Sequence, residues 1–447
     1  MKKLTVFFLS IIISIFFITG CSKEKNQSSD TDKSKAEIPK SAVIGSNKVV
    51  FSSGLWSVPS QREYIKRVIM AGFEKKTGIS VDYRYIMAKD IINVLLLQRA
   101  MNNIMVDIVT IGSGDMPKFI DQGFMENLNP YMEEYFDDIT IFKVFNNVTN
   151  KNGKAYFLPI VADVYITVAN RKALKYLPKG CDVNDLTWND FVQWSHNIRK
   201  GEGVGKTVFS GAPMNSLIYE YGAIELSYGA KFLDLTTKPA LKAWEIMVEL
   251  RKDYTPDILN TSTAKDSLLK GIGWITIIHI ADGGATYDSD PTKFIVARVP
   301  KGPVGRGTIS GAYGIGIPKG SKNKRNALKL MQYLLSPKIQ ADIARGTGGF
   351  VPPVKQAFEY LGNNPSEKVI KIGLETFNTA IISGVPSDKY WDWNAVKIIF
   401  DNLFKNMVIG KGKVDIKMLE AAKVELMNLN KAKSKIYKDI KPKNMEP

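Results

Sequence analysis

Strand and helix patterns alternate through the first part of the chain, and this alternation limits the fold more than any other feature. The stretch Lys48–Phe51 predicts a short strand, and apolar residues at helical spacing predict a helix from about Ser60 to Lys76. The next strand is predicted at Ile79–Tyr85 and the next helix at about Asp90–Asn102. Val106–Ile111 lacks polar alternation, as expected of a buried parallel strand. This order of elements predicts an α/β fold with a parallel sheet.

The rest of the chain is mostly helical, with strand-like stretches between the helices. At 447 residues and 45% hydrophobic content, the chain is long enough for two or three compact lobes. Helices are predicted at 188–200, 215–228, 238–252, 323–345, 366–382, 392–407 and 415–436, and strands at 274–279, 294–299 and 309–317.

The N-terminus has the pattern of an export signal. Two lysines precede an apolar run from Leu4 to Ile18, which is shorter than the about 20 apolar residues of a membrane-spanning helix. The small Thr19-Gly20 pair before Cys21 resembles a bacterial lipobox, whose cysteine is lipidated and becomes the new N-terminus. We therefore expect a signal peptide at 1–20 and an exported protein anchored to the membrane through a lipid on Cys21. The alternative is an ordinary cleaved signal with a chance cysteine.

Charge and composition indicate a soluble body between two polar ends. Residues 21–46 are rich in Ser, Lys, Asp and Glu, which predicts a flexible leash, and residues 437–447 form a basic tail. The net charge is +17, but the lysines are spread along the chain rather than gathered with aromatic platforms. We therefore expect no nucleic acid partner. With Cys21 lipidated, Cys181 would have no partner for an intramolecular disulfide.

Seven short motifs follow one another in a characteristic order between about residues 47 and 430. They are Phe73–Val81, Asp107–Val109 with Gly123-Phe124 and Leu128–Pro130, Gly153–Pro159 with Asn170, Thr187–Phe191, Pro300–Pro303, Ile317–Asn323 and Gly348–Pro352. In this order they resemble the extracellular solute-binding protein family 1, the maltose-binding-protein type of receptor for ABC importers. Each motif alone is weak evidence, but their shared order is strong.

The resemblance implies a type II periplasmic-binding-protein fold, with two α/β lobes joined by a hinge and the ligand in the cleft between them. Lobe one would comprise 47–159 and 311–355, and lobe two 160–310 and 356–436. The hinges would lie near Pro159–Asp163 and Thr308–Gly311. The carboxyl edges of open sheets bind ligands, so two facing edges would bury a polar ligand from both sides.

Polar candidates for the site follow strand ends or crossings. Sugar hydroxyls bind carboxylates and amides, and sugar C–H faces stack on aromatic rings. Ser113 and Asp115 follow the strand Val106–Ile111, although Asp115 could simply cap the next helix. Asp163 aligns with a family carboxylate at the crossing. It is the strongest candidate, because burying an unpartnered carboxylate costs several kcal/mol.

Aromatic candidates follow from the same resemblance. Trp56 comes just after the first strand, where the family often contacts ligand, although it could instead cap a helix on the surface. Tyr219 and Tyr221 lie on a predicted helix where the family places a stacking ring, and core packing is the alternative. Trp391 and Trp393 precede a helical stretch, and Trp393 matches a family aromatic that stacks on a sugar ring.

Two departures from the family pattern concern aromatic positions. Many members have an aromatic residue directly after the strand that contains the Asp107–Val109 motif, where this chain has Ile111. The usual Gly-x-Trp at the end of the Trp274–His279 strand is replaced by His279-Ile280-Ala281. His279 could contact ligand, or it could be an ordinary hydrogen-bonded histidine. Both departures indicate a ligand smaller than, or different from, a linear glucan.

The leading hypothesis is a monomeric receptor that binds a small carbohydrate reversibly and presents it to the permease subunits of an ABC importer. No cofactor, metal or covalent chemistry is expected. Alternatives are a polyamine, an oligopeptide or ferric ion in the same fold, or an exported glycosidase with two carboxylates. The sequence has two histidines and lacks the HExxH and Gly-x-Ser-x-Gly motifs. Gly203–Thr207 imitates a phosphate loop, but its first glycine position holds Lys200, which favours a surface loop.

Overall fold

A computed structural model describes the protein over residues 47–386 and 392–440. The predicted signal peptide, the Cys21 anchor and the leash lie outside the described residues, as does Trp391. The strands are β1 (Lys48–Ser53), β2 (Ser80–Tyr85), β3 (Ile108–Gly112), β4 (Asn150–Lys151), β5 (Lys154–Ala155), β6 (Leu158–Ala162), β7 (Tyr165–Asn170), β8 (Ile275–His279), β9 (Phe294–Ala297), β10 (Lys301–Gly302), β11 (Gly305–Ile309), β12 (Ala312–Gly316) and β13 (Ala380–Ser383).

Helices surround these strands. The α-helices are α1 (Pro59–Tyr64), α2 (Ala71–Thr77), α3 (Ala88–Ala100), α4 (Met116–Asp121), α5 (Met132–Phe136), α6 (Asn146–Thr149), α7 (Trp188–Glu202), α8 (Leu217–Ser227), α9 (Lys238–Glu249), α10 (Ala264–Leu269), α11 (Ile280–Ser289), α12 (Lys324–Leu335), α13 (Pro337–Thr347), α14 (Pro365–Thr379), α15 (Trp393–Leu403) and α16 (Ile416–Ile440). Short 3-10 helices lie at Asn129–Tyr131, Lys143–Phe145, Arg171–Tyr176, Val183–Asp185, Leu250–Lys252, Ile258–Asn260 and Lys355–Tyr360, and π-helical turns at Ile65–Met70 and Phe404–Lys411.

Lobe one is built on a five-stranded sheet of order β2-β1-β3-β12-β6. β1 pairs in parallel with β2 and β3, as the alternating sequence pattern predicts. β12 is antiparallel to both β3 and β6, so β6 and β12 carry the chain out of this sheet and back into it. Phe51, Phe73 and Ile108 are fully buried in the core beside the sheet.

Lobe two contains two three-stranded sheets, β8-β7-β9 and β10-β11-β13, around a buried helix. Every residue of α8 except Tyr219 is buried. The helix packs closely on β11, where a Cβ on Gly307 would lie 2.3 Å from the carbonyl oxygen of Ala223. Trp188, Trp194 and other large rings fill the remaining core, so this helix is held on all sides.

Two of the crossings between the lobes are short. β6 continues to Ala162, later than the predicted boundary at residue 159, and Asp163-Val164 then leads into β7. Ser310-Gly311 leads from β11 into β12, so the predicted strand 309–317 is divided between the two sheets. The first crossing donates a hydrogen bond from Asp163 N to Gly311 O at 3.1 Å. The crossings therefore lie side by side.

Several helix ends differ from the sequence prediction for identifiable reasons. The predicted helix 323–345 is interrupted at Ser336, because Pro337 occupies the first turn of α13. The predicted helix 366–382 ends at Thr379, and its last residues form β13 beside β11. α16 continues to Ile440, into the predicted tail. Within the described ranges, no helix is long and apolar enough to cross a membrane.

Candidate ligand-binding cleft

Asp163 connects both crossings to the end of a strand in lobe two. Its Oδ1 accepts a hydrogen bond from Gly311 N at 2.5 Å, and its carbonyl oxygen accepts one from the Ser310 hydroxyl at 2.5 Å. Its Oδ2 lies 3.2 Å from Nε2 of His279. The side chains of Asp163 and His279 are 23% and 29% exposed, so the pair reaches solvent at the junction of the lobes. The structure thus brings these two predicted site residues together.

His279 uses both of its ring nitrogens. It caps α11, because the N–H of Ala281 donates to Nδ1 at 3.2 Å. The proton of the neutral ring therefore belongs on Nε2, which faces Asp163. Burial lowers the pKa of His279, but the charge of Asp163 and the hydrogen bond to it raise this pKa above its usual value. Asp163 therefore stabilises the imidazolium relative to the neutral ring, whereas the Ala281 hydrogen bond is available only to the neutral ring.

A series of aromatic rings extends from this pair into lobe two. The Tyr165 ring centroid lies 6.0 Å from that of His279 and 6.3 Å from that of Tyr219. Tyr219 stacks on Trp393 with ring centroids 6.2 Å apart and an interplanar angle of 16°. The Trp393 indole N–H donates to the Tyr219 hydroxyl at 2.7 Å, which fixes both rings. Tyr219 and Trp393 are both half-buried. This pair offers partly exposed ring surface beside the hinge.

Electrostatics also links Tyr219 to the hinge. Burial raises the pKa of Tyr219 to about 12, the Trp393 hydrogen bond opposes this rise, and the negative charge of Asp163 adds to it. Lys397 Nζ lies 5.3 Å from the centre of the Tyr219 ring, as in a cation–π contact. The hydroxyl of Tyr219 therefore stays protonated and can both donate and accept hydrogen bonds.

Lobe one contributes polar groups on its side of the junction. Ser113 N donates to Ala312 O at 2.7 Å and ties the end of β3 to β12. Burial raises the pKa of Tyr313, and the charges of Asp163 and Asp115 raise it further. Asp115 is exposed, and within the described chain it makes no side-chain capping bond to α4. Partial desolvation raises the pKa of Asp115, against the opposing charge of Lys118.

A buried carboxyl lies behind the tyrosines of lobe two. Both oxygens of Glu220 accept from Ser210 N, at 3.2 and 2.9 Å, and Oε1 also accepts from the Ser216 hydroxyl at 3.4 Å. Burial raises the pKa of Glu220 to about 8, while these hydrogen bonds oppose the rise. Burial raises the pKa of Tyr165, and the charge of Glu220, when that group is ionised, raises it further.

Two predicted ligand contacts need correction. Trp56 is fully buried in lobe one, with its ring centroid 6.4 Å from that of Phe51 and 6.0 Å from that of Tyr83. It is therefore neither a surface cap nor a cleft residue. Tyr221 is fully buried against Trp244, with ring centroids 4.3 Å apart. A fully buried ring offers no surface to a ligand in this conformation, so both residues belong to the core.

Sequence reasoning overlooked three rings at the junction. Tyr165 lies two residues after Asp163 and begins β7, and Tyr313 lies two residues after Gly311 on β12. The Phe350 ring centroid lies 6.5 Å from that of His279. For Tyr165 and Tyr313, the position beside the crossings was the available signal. Tyr165 is itself buried, whereas Tyr313 and Phe350 are partly exposed. Among the described residues, no group of three or more His, Cys, Asp or Glu could hold a metal ion.

Comparison with known proteins tests the resemblance. The sequence profile of the family described as bacterial extracellular solute-binding protein matches residues 58–341. The chain belongs to this family. Among curated proteins, none matches this solute-binding protein. The predicted family is therefore confirmed through the profile.

Solved structures of solute-binding proteins share its fold. The sugar-binding protein MalE from Xanthomonas citri has a TM-score of 0.71 at 17% identity, covering 88% of this chain and 99% of that chain. Maltose-bound MalE3 from T. maritima has a TM-score of 0.65 at 18% identity, covering 86% and 99%. A Listeria monocytogenes substrate-binding protein in complex with cycloalternan has a TM-score of 0.64 at 18% identity, covering 87% and 99%. The predicted two-lobed type II fold is confirmed.

Proposed function

We propose that this solute-binding protein reversibly binds a small carbohydrate in the cleft between its lobes and delivers it to an ABC importer. The observation that carries the proposal is the parallel Tyr219–Trp393 pair, whose rings are joined by a 2.7 Å hydrogen bond. Flat, partly exposed rings suit the C–H face of a sugar, and fixed rings lose little conformational freedom when a ligand binds.

Polar groups beside the rings complete the proposed site. Asp163 and Tyr313 at the crossings, with Ser113 and Asp115 from lobe one, supply acceptors and donors for hydroxyl groups. They lie where the two lobes meet, so a ligand that contacts both sides would favour the closed arrangement through its higher affinity for that state. Binding in this scheme is reversible and changes no covalent bond.

The solved structures of the same fold support a carbohydrate in particular. Those named above include a sugar-binding protein and complexes with maltose and cycloalternan. Because His279-Ile280-Ala281 replaces the Gly-x-Trp of many members, so that Ala281 stands at the tryptophan position, we propose a ligand smaller than, or different from, a linear glucan. Export by a signal peptide at 1–20, anchoring by a lipid on Cys21 and a monomeric state are further parts of the proposal, and they match a receptor held near permease subunits.

Calorimetric titration of full-length protein with mono-, di- and oligosaccharides tests the proposal. Trp393→Leu should weaken binding of the sugar that titrates by at least about 1 kcal/mol, or roughly fivefold, because the stacking surface is lost. Trp274→Leu is the matched control, since Trp274 also stacks on a tyrosine of lobe two, with its ring centroid 6.5 Å from that of Tyr176.

The control should bind with unchanged affinity. Equal weakening by both substitutions would contradict the assignment of the Trp393 ring to the site. Saturable binding of a polyamine, a peptide or ferric ion, with no sugar that titrates, would overturn the carbohydrate proposal. Release of reducing sugar during the titration would contradict simple binding.

A further inference from the structure

A cavity separate from the cleft lies in lobe two, beside the start of β8 at Ile275. Its volume is about 480 Å³, within the range of small-molecule sites. Its lining includes the cationic side chains of Arg199, Arg251 and Lys252, the Gly203–Gly205 segment, and Tyr254 and Ile258.

Strand geometry separates this cavity from the cleft. Lys206 follows the lining glycines, and its carbonyl oxygen accepts from Trp274 N at 2.7 Å, directly before β8 begins at Ile275. β8 ends at His279, which faces the hinge. Four residues of strand span roughly 13 Å, so one strand has the cleft at one end and the cavity at the other.

The lining is cationic. Arg199, Arg251 and Lys252 line the cavity, and the described residues of its wall include no Asp or Glu. The nearby carboxylate of Asp253 is fully buried and already engaged, with Oδ1 at 2.6 Å from Arg199 Nε and Oδ2 at 2.6 Å from His196 Nδ1. Asp253 therefore neutralises only part of the positive charge that faces the cavity.

Each of the two guanidinium groups is held by a hydrogen bond through its Nε. Arg199 bonds Asp253 through Nε, and Arg251 donates to Ile409 O through Nε at 2.7 Å. A guanidinium has five N–H donors, so each arginine keeps its terminal donors for a second partner. Fixed guanidinium groups suit the paired oxygens of a phosphate group. Tyr254 and Ile258 provide an apolar wall beside these charges.

Cations at the C-termini of helices also stabilise those helices, and Arg199 lies in the last turn of α7. That role requires neither a cavity nor convergence from separate segments. Here Arg199 comes from α7, whereas Arg251 and Lys252 come from the 3-10 helix Leu250–Lys252. The Gly203–Gly205 segment follows a helix instead of preceding one, so it is no phosphate loop, and side-chain cations would do the binding.

We propose that this cavity is a second binding site, specific for a phosphate ester carried by a small solute or by a phospholipid headgroup. The shared chemistry is a phosphate with one to two negative charges next to a compact organic group. A lipid-tethered protein would meet the headgroup form, and an exported receptor would meet the free form.

Hydrogen–deuterium exchange of the full-length protein distinguishes these sources. Glycerol 3-phosphate in solution should protect segments 203–207 and 250–256 if the site takes free phosphate esters, and glycerol alone should not. Protection only on phosphatidylglycerol nanodiscs, and not on phosphatidylcholine nanodiscs, would assign the headgroup. Either pattern supports the site, and added salt should weaken both, since exposed charges are screened beyond about 8–10 Å.

Two variants keep the test independent of folding. Lys252→Glu reverses an exposed charge and should lower the affinity for the ligand that gives protection at least fivefold. Arg251→Gln should lower this affinity by a similar factor. Lys231→Glu makes the same charge reversal at an exposed lysine outside the cavity and should leave affinity unchanged. Absence of protection under every condition, or equal loss in Lys252→Glu and Lys231→Glu, overturns the proposal.

Discussion

Replacing Asp163 with asparagine tests the hinge most directly, because the substitution keeps the shape and removes the charge. The carboxylate accepts from Gly311 N on one oxygen and faces His279 Nε2 with the other. Asparagine has one acceptor oxygen and an NH₂ group. The asparagine oxygen can accept from either Gly311 N or His279 Nε2, but the NH₂ group would then face the other of these two donors, unless the side chain or the imidazole rearranges.

The magnitude follows from the bonds that are lost. A hydrogen bond to a charged group contributes about 1.5–3 kcal/mol to stability. Because the side chains of Asp163 and His279 are 23% and 29% exposed, solvent weakens their interaction only in part. We expect Asp163→Asn to lower the free energy of unfolding by about 2 kcal/mol near pH 6.

The sign of the pH dependence is set by His279. In the wild type its pKa is raised above the usual value by Asp163. This stabilisation is present in full below the unfolded pKa of about 6.5 and is lost as the pH rises through the folded pKa. The substitution removes the cause of the rise and leaves burial, which lowers the pKa. The stability difference between wild type and variant should therefore shrink as the pH rises from about 5.5 to 8.5.

An NMR titration of imidazole resonances measures the effect at its source. The chain has two histidines, so His196, which pairs with Asp253, serves as an internal reference. Urea unfolding at several pH values gives the energetic counterpart. Asp121→Asn, at a surface pair 2.6 Å from Lys151, is the control and should change stability by less than about 1 kcal/mol. An unchanged His279 titration in Asp163→Asn would refute the reasoning.

Two further substitutions probe the same region. A Cβ on Gly311 would lie 2.8 Å from Oδ2 of Asp163, so Gly311→Ala should displace the carboxylate. The affinity for the sugar, measured by calorimetric titration, should then fall about tenfold. Gly114→Ala, whose Cβ would meet nothing within 4 Å, should bind normally, and equal behaviour of the two would contradict a steric effect. Glu220 has its pKa raised to about 8, so its protonated form stabilises the fold below about pH 4.5, and this stabilisation is lost as the pH rises to about 8. Glu220→Gln should remove that decline of about 1.4 kcal/mol per pH unit from urea unfolding curves, and parallel curves for variant and wild type would show that Glu220 is already ionised.

Local pattern predicted the fold well where burial and periodicity agree. The strands around Val49, Val81 and Ile108 are short apolar runs bounded by turns or helices, and each is found within one or two residues of its predicted place. Asp163 was singled out because a carboxylate at a crossing is hard to explain as core. The structure gives it polar partners from the other crossing and from β8.

The candidate rings were harder to predict, because aromatic residues serve both core and cleft. Tyr219 and Tyr221 lie two positions apart on α8, and a helix turns by about 100° per residue. The two side chains therefore point in nearly opposite directions, and only Tyr219 is half-exposed. Helix geometry alone could have separated them. Trp56 follows a strand end like a cleft residue, but it turns back onto Phe51 and Tyr83, a tertiary contact that no local pattern encodes.

At the end of β8, His279 takes part in hydrogen bonding and provides no stacking ring. The family's Gly-x-Trp pattern would place a tryptophan two residues later, where this chain has Ala281, and its indole would present a ring face and a single N–H donor. The imidazole instead has one nitrogen occupied by the N–H of Ala281 and the other directed at Asp163. Its ring is edge-on to Tyr165, with an interplanar angle of 89°, so it does not extend the stacked surface of Tyr219 and Trp393. The stacked rings and the polar groups at the crossings are therefore different residues. A ligand that contacts both sets must be short enough to lie between Trp393 and the crossings.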